Sequence, residues 1–189
     1  MQKIGIRQII GKRSPPAKES EVALAQLFEQ WYPKVYNYLR YRINNPTDAE
    51  DLTSLVFERA YNARQQFDET KGAFSTWLFR IARNALIDHL RSGQRRATWE
   101  DEATLPLDLA ASEPTLEAQV VQQELVATLL SSLARLSDRD QEIISLKFAG
   151  GFKNKEIGQI VGMKEKTVSV TLLRAMRRLR QQMMQEVAP

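Results

Sequence analysis

The stretch GGFKNKEIGQIVGMKEKTVSVTLLRAMRRLRQ, Gly150 to Gln181, decides the fold. It holds two short helical patterns separated by Gly162-Met163, and its second half is dense in Lys and Arg. Ile157 and Val161 on the first pattern, with Val168 and Leu172 on the second, recur at helical spacing and can share a small core. Gly162 falls where the chain must reverse, and glycine takes a positive φ there at no steric cost. The spacing predicts helices over 154–161 and 164–184, joined as a helix-turn-helix. Such a unit suits duplex DNA, because its second helix fits the major groove while cations on either side neutralise phosphates. Lys164 and Lys166 stand at the entering end, and Arg174, Arg177, Arg178 and Arg180 stand along the exit. A helical hairpin with water-facing cations would carry similar charge; the turn glycine, the four core positions and the charge density together favour DNA.

Outward from this stretch, composition points the same way. The 189 residues are rich enough in aliphatic side chains to build packed cores, and the 8 Gly and 7 Pro cluster rather than recur at β-turn spacing. An all-α protein of two small helical domains is expected, the C-terminal one containing the helix-turn-helix. The chain has no Cys, which excludes disulfides and thiolate metal sites, and a single His89 leaves little for imidazole chemistry. No metal, cofactor or catalytic residue is expected. No apolar run approaches the roughly 18 residues of a membrane span, and the N-terminus lacks a secretory core, so a cytoplasmic protein without membrane insertion is expected.

The formal net charge of +4 is unevenly distributed. Residues 1–20 sum to +4, residues 21–96 to +2, residues 97–124 to −7 and residues 139–180 to +6. Four segments follow: a flexible basic tail over 1–20, a helical domain over 21–96, an acidic linker over 97–115 and a smaller helical domain over 116–189. In the first domain, Leu24, Leu27, Phe28, Trp31, Val35 and Leu39 keep a helical period, and Pro33 is expected to kink that helix or start a new one. Thr47 and Glu50 read as a capping box opening a second helix over 48–64. Residues 67–72 read as a loop, and a third helix runs from Phe74 to Arg91 before Ser92-Gly93. In the second domain a helix over 116–136 precedes one capped by Ser137 over 138–148.

The third helix, FSTWLFRIARNALIDHLR, puts Phe74, Trp77, Leu78, Ile81 and Ala85 on one apolar stripe, widened by Phe79, Ala82, Leu86 and Leu90. Arg80, Arg83, Asn84, Ile87 and Arg91 fall on the opposite face. That face and the aromatic-flanked loop before it have what single-strand capture needs, cations for a backbone and polar or aromatic groups for unstacked bases. On spacing alone Trp77 and Phe79 read as core. Asp48, Glu50 and Asp51 likewise read as acids favoured at a helix N-terminus; three acids on one turn without a second cluster make a poor metal site.

Three motifs carry a resemblance: DAEDLTSLVFERAY over 48–61, STWLFRIARNALIDHLR over 75–91, and LSDRDQEIISLKF with EIGQIVGMKEKTVSVTLLRAMRRLR between 136 and 180. In order, spacing and charge the chain resembles a bacterial RNA polymerase sigma factor of the extracytoplasmic-function (ECF) group, sigma-70 family. The resemblance implies a non-enzymatic subunit that binds core RNA polymerase and directs promoter recognition, melting near −10 and transcription initiation. It implies contact with the clamp of the largest catalytic subunit through Asp48, Glu50, Asp51, Leu52 and Phe57, and with the flap of the second subunit. It implies −10 DNA binding by Phe67, Lys71, Phe74, Trp77, Arg80, Arg83, Asn84, Asp88 and Arg91. For the −35 duplex it implies Lys164, Lys166, Thr167, Ser169, Val170, Leu173, Arg174 and Arg177. An anti-sigma factor is a further candidate partner, because many similar proteins are restrained by one.

Several positions depart from the family pattern. Leu55 replaces the usual acid or amide in the clamp motif. Lys153 stands where a capping hydroxyl is common, leaving Asn154 to take the cap. Ser169-Val170-Thr171 replaces a more basic triplet, which suits apolar contact to thymine methyls better than bidentate hydrogen bonds. An autonomous helix-turn-helix regulator would explain residues 154–180 but neither the Trp77 helix nor the acidic linker. A nucleic-acid hydrolase would need a second carboxylate cluster, a phosphate-binding glycine loop, or a nucleophile beside a base.

Overall fold

The computed structural model describes residues 17–43, 45–92 and 116–187. Most of the expected basic tail and all of the expected linker lie outside them. Seven α-helices are present among the described residues: α1 (Ala17–Arg40), α2 (Pro46–Asn62), α3 (Phe74–Arg91), α4 (Leu116–Ala134), α5 (Asp138–Phe148), α6 (Asn154–Val161) and α7 (Glu165–Val187). Two short 3-10 turns, Arg64–Gln66 and Glu69–Lys71, lie between α2 and α3. Helices α1 to α3 form one domain and α4 to α7 the other.

In the first domain, helix α1 continues through Pro33, so no new helix starts there. Pro33 is exposed, as is Glu29, whose carbonyl loses its amide partner to the proline, so that carbonyl can turn to water. The cap of α2 is Asn45, not Thr47: the Asn45 Oδ1 accepts from the amides of Thr47 (2.8 Å) and Asp48 (3.2 Å). Pro46 then occupies the first helical position, where a missing N–H costs nothing. At the end of α1, Arg40 is buried and its Nη1 donates to the Ile43 carbonyl at 3.0 Å. Burial holds this guanidinium below its usual range, opposed by its hydrogen bond and charge interaction with Tyr36.

Helices α3, α5 and α6 span the residues predicted for them. The Ser137 side chain caps α5 by accepting from the Asp140 amide at 3.2 Å. At α6 the cap differs from expectation. Glu156 accepts from the Lys153 amide at 2.7 Å, while Asn154 leaves the cap and donates from Nδ2 to Ser169 Oγ at 2.9 Å. The helix-turn-helix core forms as expected, with Ile157 and Val168 fully buried and Val161 and Leu172 packed at its edge. Gly162 has φ +74°. Gly158 is a second requirement of the turn, since a Cβ there would collide with the Met163 carbonyl oxygen, a backbone atom unable to swing aside.

The two domains share one core. Leu78, Phe79 and Ala82 of α3 belong to the same buried cluster as Ile143, Leu146, Phe152, Ile157 and Ile160. Phe79 meets Phe152 edge-to-face, centroids 4.6 Å apart, and packs against Tyr38 at 5.4 Å. Burial, with Glu142 nearby, drives the Tyr38 phenol far above its usual range.

Replacing Gly158 with Ala should lower the unfolding free energy by about 2 kcal/mol, because the overlap falls on backbone. Gly162→Asn should cost less, as Asn tolerates the left-handed region. Urea denaturation of both variants tests this order.

Candidate nucleic-acid interface

All eight residues expected to face duplex DNA, Lys164, Lys166, Thr167, Ser169, Val170, Leu173, Arg174 and Arg177, are exposed. They share the outer face of α7 and the turn before it, while Val168, Ala175 and Leu179 point inward. Two hydroxyls in this region are spent locally: Ser169 Oγ donates to the Glu165 carbonyl (3.1 Å) and Thr171 Oγ1 to the Thr167 carbonyl (2.8 Å). Ser169 also accepts from Asn154, so the apolar tips of Val170 and Leu173, 42% and 55% exposed, dominate the middle of the face. Arg178 belongs instead to the fold, donating to Asp140 at 2.5 Å. Asp140 is 3% exposed, and this bond supplies its counter-charge.

The surface expected to meet single-stranded DNA is built around the segment between α2 and α3. Phe67 and Phe74 are buried and meet edge-to-face at 5.6 Å, and Trp77 closes the aromatic trio at 5.4 Å from Phe67 and 5.6 Å from Phe74. Asp68 organises the turn: its Oδ1 accepts from the Thr70 hydroxyl (2.6 Å) and amide (3.0 Å), and its Oδ2 pairs with Lys71 at 3.4 Å. These bonds, led by the Thr70 hydroxyl, hold the Asp68 carboxyl below its usual range. A cavity of about 130 Å³ opens among Gln66, Lys71, Thr76, Trp77 and Arg80, with Gln159 of the second domain on its border.

The cations of α3 do not all face open solvent. Arg80 donates from Nε (3.1 Å) and Nη2 (2.8 Å) to the Gln159 carbonyl of α6. The Arg83 Nε donates to Glu142 of α5 at 2.7 Å, a pair largely removed from water. Asp88 pairs with Arg59 at 3.4 Å, while Asn84 and Arg91 are exposed. Arg42 adds a third contact between domains, donating to the Asp138 carbonyl at 3.0 Å. A wider open groove of about 600 Å³ runs beside these contacts, between Arg91 and Arg139.

On α2 the acids separate from the apolar residues. Glu50 and Asp51 are exposed and Asp48 half-buried. Leu52 and Phe57, expected to meet the polymerase, are buried in this structure: Phe57 packs on Phe28 (4.8 Å) and stacks on Tyr32 (5.7 Å) of α1, and Leu52 belongs to the same core. Sequence reasoning missed Phe152, Glu142 and Gln159; no local pattern marks them, since their partners lie 59 or more residues away.

No three His, Cys, Asp or Glu gather as metal ligands among the described residues, and none of the described helices is long and apolar enough to cross a membrane. The fold and its surfaces thus define an all-helical protein of two domains, one presenting a helix-turn-helix. The Sigma-70 region 2 family matches residues 27–96 and the Sigma-70 region 4 family residues 127–179. The ECF RNA polymerase sigma factor RpoE of Cereibacter sphaeroides is 30% identical over 166 residues, covering 86% of this chain and 87% of that protein. SigW of Bacillus subtilis, also an ECF sigma factor, is 29% identical over 185 residues, covering 94% and 98%. BldN of Streptomyces coelicolor, another, is 33% identical over 157 residues; the match covers 83% of this chain but only 59% of BldN. The solved structure of CnrH in complex with the cytosolic domain of CnrY shares the fold at TM-score 0.66 and 23% identity, covering 91% of this chain and 94% of that one. So does the sigma factor RpoE from Bartonella quintana, solved with the anti-sigma factor NepR, at TM-score 0.65 and 22% identity, covering 87% and 98%. The chain belongs to the ECF group of RNA polymerase sigma factors, sigma-70 family. Its function is that of the family, non-catalytic: it directs RNA polymerase in promoter recognition and transcription initiation.

Glu142→Arg should set like charges against Arg83 and weaken the domain contact by about 2 kcal/mol. Small-angle scattering should then show a larger radius of gyration than the parent; an unchanged radius would mean that the remaining contacts hold the domains together without the Arg83–Glu142 pair.

Proposed function

We propose that this chain docks on the clamp of the largest polymerase subunit through the exposed acids of α2 and opens promoter DNA by capturing an unpaired base behind the 66–73 segment. The outer face of α7 reads the upstream duplex. The observation that carries this reading is the cavity at the start of α3, walled by Trp77 and bordered by Lys71 and Arg80. Stacking on an indole can offset the few kcal/mol lost when a base leaves its stack, and nearby cations hold the strand by its phosphates. No nucleotide hydrolysis is required.

The described arrangement is a closed one. Arg80 and Arg83 spend guanidinium donors on Gln159 and Glu142 that a DNA backbone would otherwise draw on, so binding of the −10 strand favours parting of the domains. The −35 face of α7 stays open throughout. A partner that grips both domains at once would favour the closed form by differential affinity; an anti-sigma factor is a candidate for that role, since the RpoE of similar fold was solved in complex with the anti-sigma factor NepR. Asp48 is half-buried beside the Asn45 cap, so the clamp contact rests mainly on Glu50 and Asp51. The segment 97–115 carries acids suited to a basic channel of the polymerase, and the flap of the second subunit is the partner of the C-terminal domain. The site of action is the cytoplasm.

Exchanging Glu50 and Asp51 for Lys should weaken binding to core polymerase at least tenfold, by opposing like charges across the interface, while leaving the fold intact at these exposed sites. Quantitative pull-down of core polymerase checks this, and start-site-specific transcripts should fall in parallel. Equal capture by parent and variant would move the docking surface elsewhere.

A further inference from the structure

The turn that ends α1 reaches across the domain boundary. Arg40 stays within its own domain, donating to the Ile43 carbonyl, but the next two residues do not. Arg42 donates to the Asp138 carbonyl, and the Tyr41 ring packs on two apolar clusters of the second domain. One cluster is Val126 and Leu130 of α4, each 6% exposed; among the described residues, Tyr41 is the partly buried apolar side chain packed against that pair. The other holds Leu133, Ile144, Ala175 and Leu179, the core shared by α4, α5 and α7. Burial pushes the Tyr41 phenol up, as befits a ring drawn out of water.

Val126, Leu130 and Leu133 stand four and three residues apart, so they form one stripe along α4. Leu129 and Leu125 lie beside it, and Leu125 is 58% exposed, so the apolar surface runs on past the ring into solvent. Leu133 packs among side chains of its own domain, whereas the apolar side chain packed on Val126 and Leu130 belongs to the first. Parting of the domains strips that ring away and wets the stripe, at a cost that grows with the apolar area uncovered. A partner that sets its own apolar side chain in the place of Tyr41 removes the cost.

We infer that this stripe of α4 is a docking surface for an apolar segment of the polymerase flap, and that Tyr41 occupies it in the closed form as an intramolecular competitor. The inference rests on the reading above that the flap is the partner of the C-terminal domain. The stripe is aliphatic, which fits a leucine- or aromatic-bearing segment, and the ring seated there shows the kind of side chain it accepts. Flap and Tyr41 exclude one another, so the closed chain binds the flap only through the fraction of molecules that have opened. Docking in turn holds Tyr41 out and loosens the boundary at which Arg80 and Arg83 are engaged.

The test measures the equilibrium affinity of the full chain for core polymerase, intact and with the flap deleted. Tyr41→Ser should bind intact core about fivefold more tightly than the parent, because more of the chain is open. Tyr41→Phe keeps the ring and should match the parent. On core polymerase without the flap, parent and serine variant should bind alike, and both more weakly than to intact core. If the serine variant does not fold, Tyr41→Ala makes the same comparison without adding a polar group. Equal or weaker binding of the serine variant to intact core, or a gain that persists without the flap, overturns the role of Tyr41 while flap docking stands. A parent that loses no affinity when the flap is deleted overturns the flap reading itself, and this inference with it.

Discussion

The contact between Phe79 and Phe152 is the constraint on which the rest of the arrangement depends. Each ring is buried, and each covers part of the other across the domain boundary. Phe79 stands on the helix whose opposite face would handle single-stranded DNA, and Phe152 stands between α5 and α6, just before the helix-turn-helix. Joining the rings brings the α6 backbone up to Arg80 and the α5 carboxylate of Glu142 up to Arg83. Apolar burial supplies the attraction, which is non-directional; the two arginines fix its register.

This arrangement separates two surfaces that are alike in charge. Apart from Arg178, which pairs with Asp140, the cations of α7 face water. Those of α3 are partly satisfied by the neighbouring domain, one by a carbonyl and one by a carboxylate. On the reading proposed above, duplex contact would need no rearrangement, whereas strand capture would compete with the domain interface for donors of the same guanidinium groups. The interface is also bordered by half-exposed charge, which salt and a charged partner can both weaken.

Much of the fold was legible along the chain. Helix α3 runs from Phe74 to Arg91 because its apolar period is long and its end is marked by Ser92-Gly93. Helices α5 and α6 are bounded by Ser137 and by glycines, local signals that act within one turn. The sequence misled where two local signals competed. Thr47 and Glu50 match a capping box, but Asn45 followed by Pro46 captures the helix start two residues earlier, because the fixed φ of proline is already helical. Pro33 likewise marks a break by pattern, yet its carbonyl partner lies on a hydrated face and the helix continues.

By itself the sequence determined the all-helical class, the helix-turn-helix with its turn at Gly162, the basic outer face of α7, and the absence of thiol chemistry. Periodicity and caps are interactions between residues three or four apart, so they can be read without knowing the fold. Only the tertiary structure decided that Leu52 and Phe57 are buried in the core, that Arg80 and Arg83 are engaged by the second domain, and that the Thr76 hydroxyl is buried and unpaired. Each of those outcomes depends on which surface meets which across tens of residues of chain, and an apolar or charged side chain has the same local signature whether its partner is its own fold, another protein or DNA.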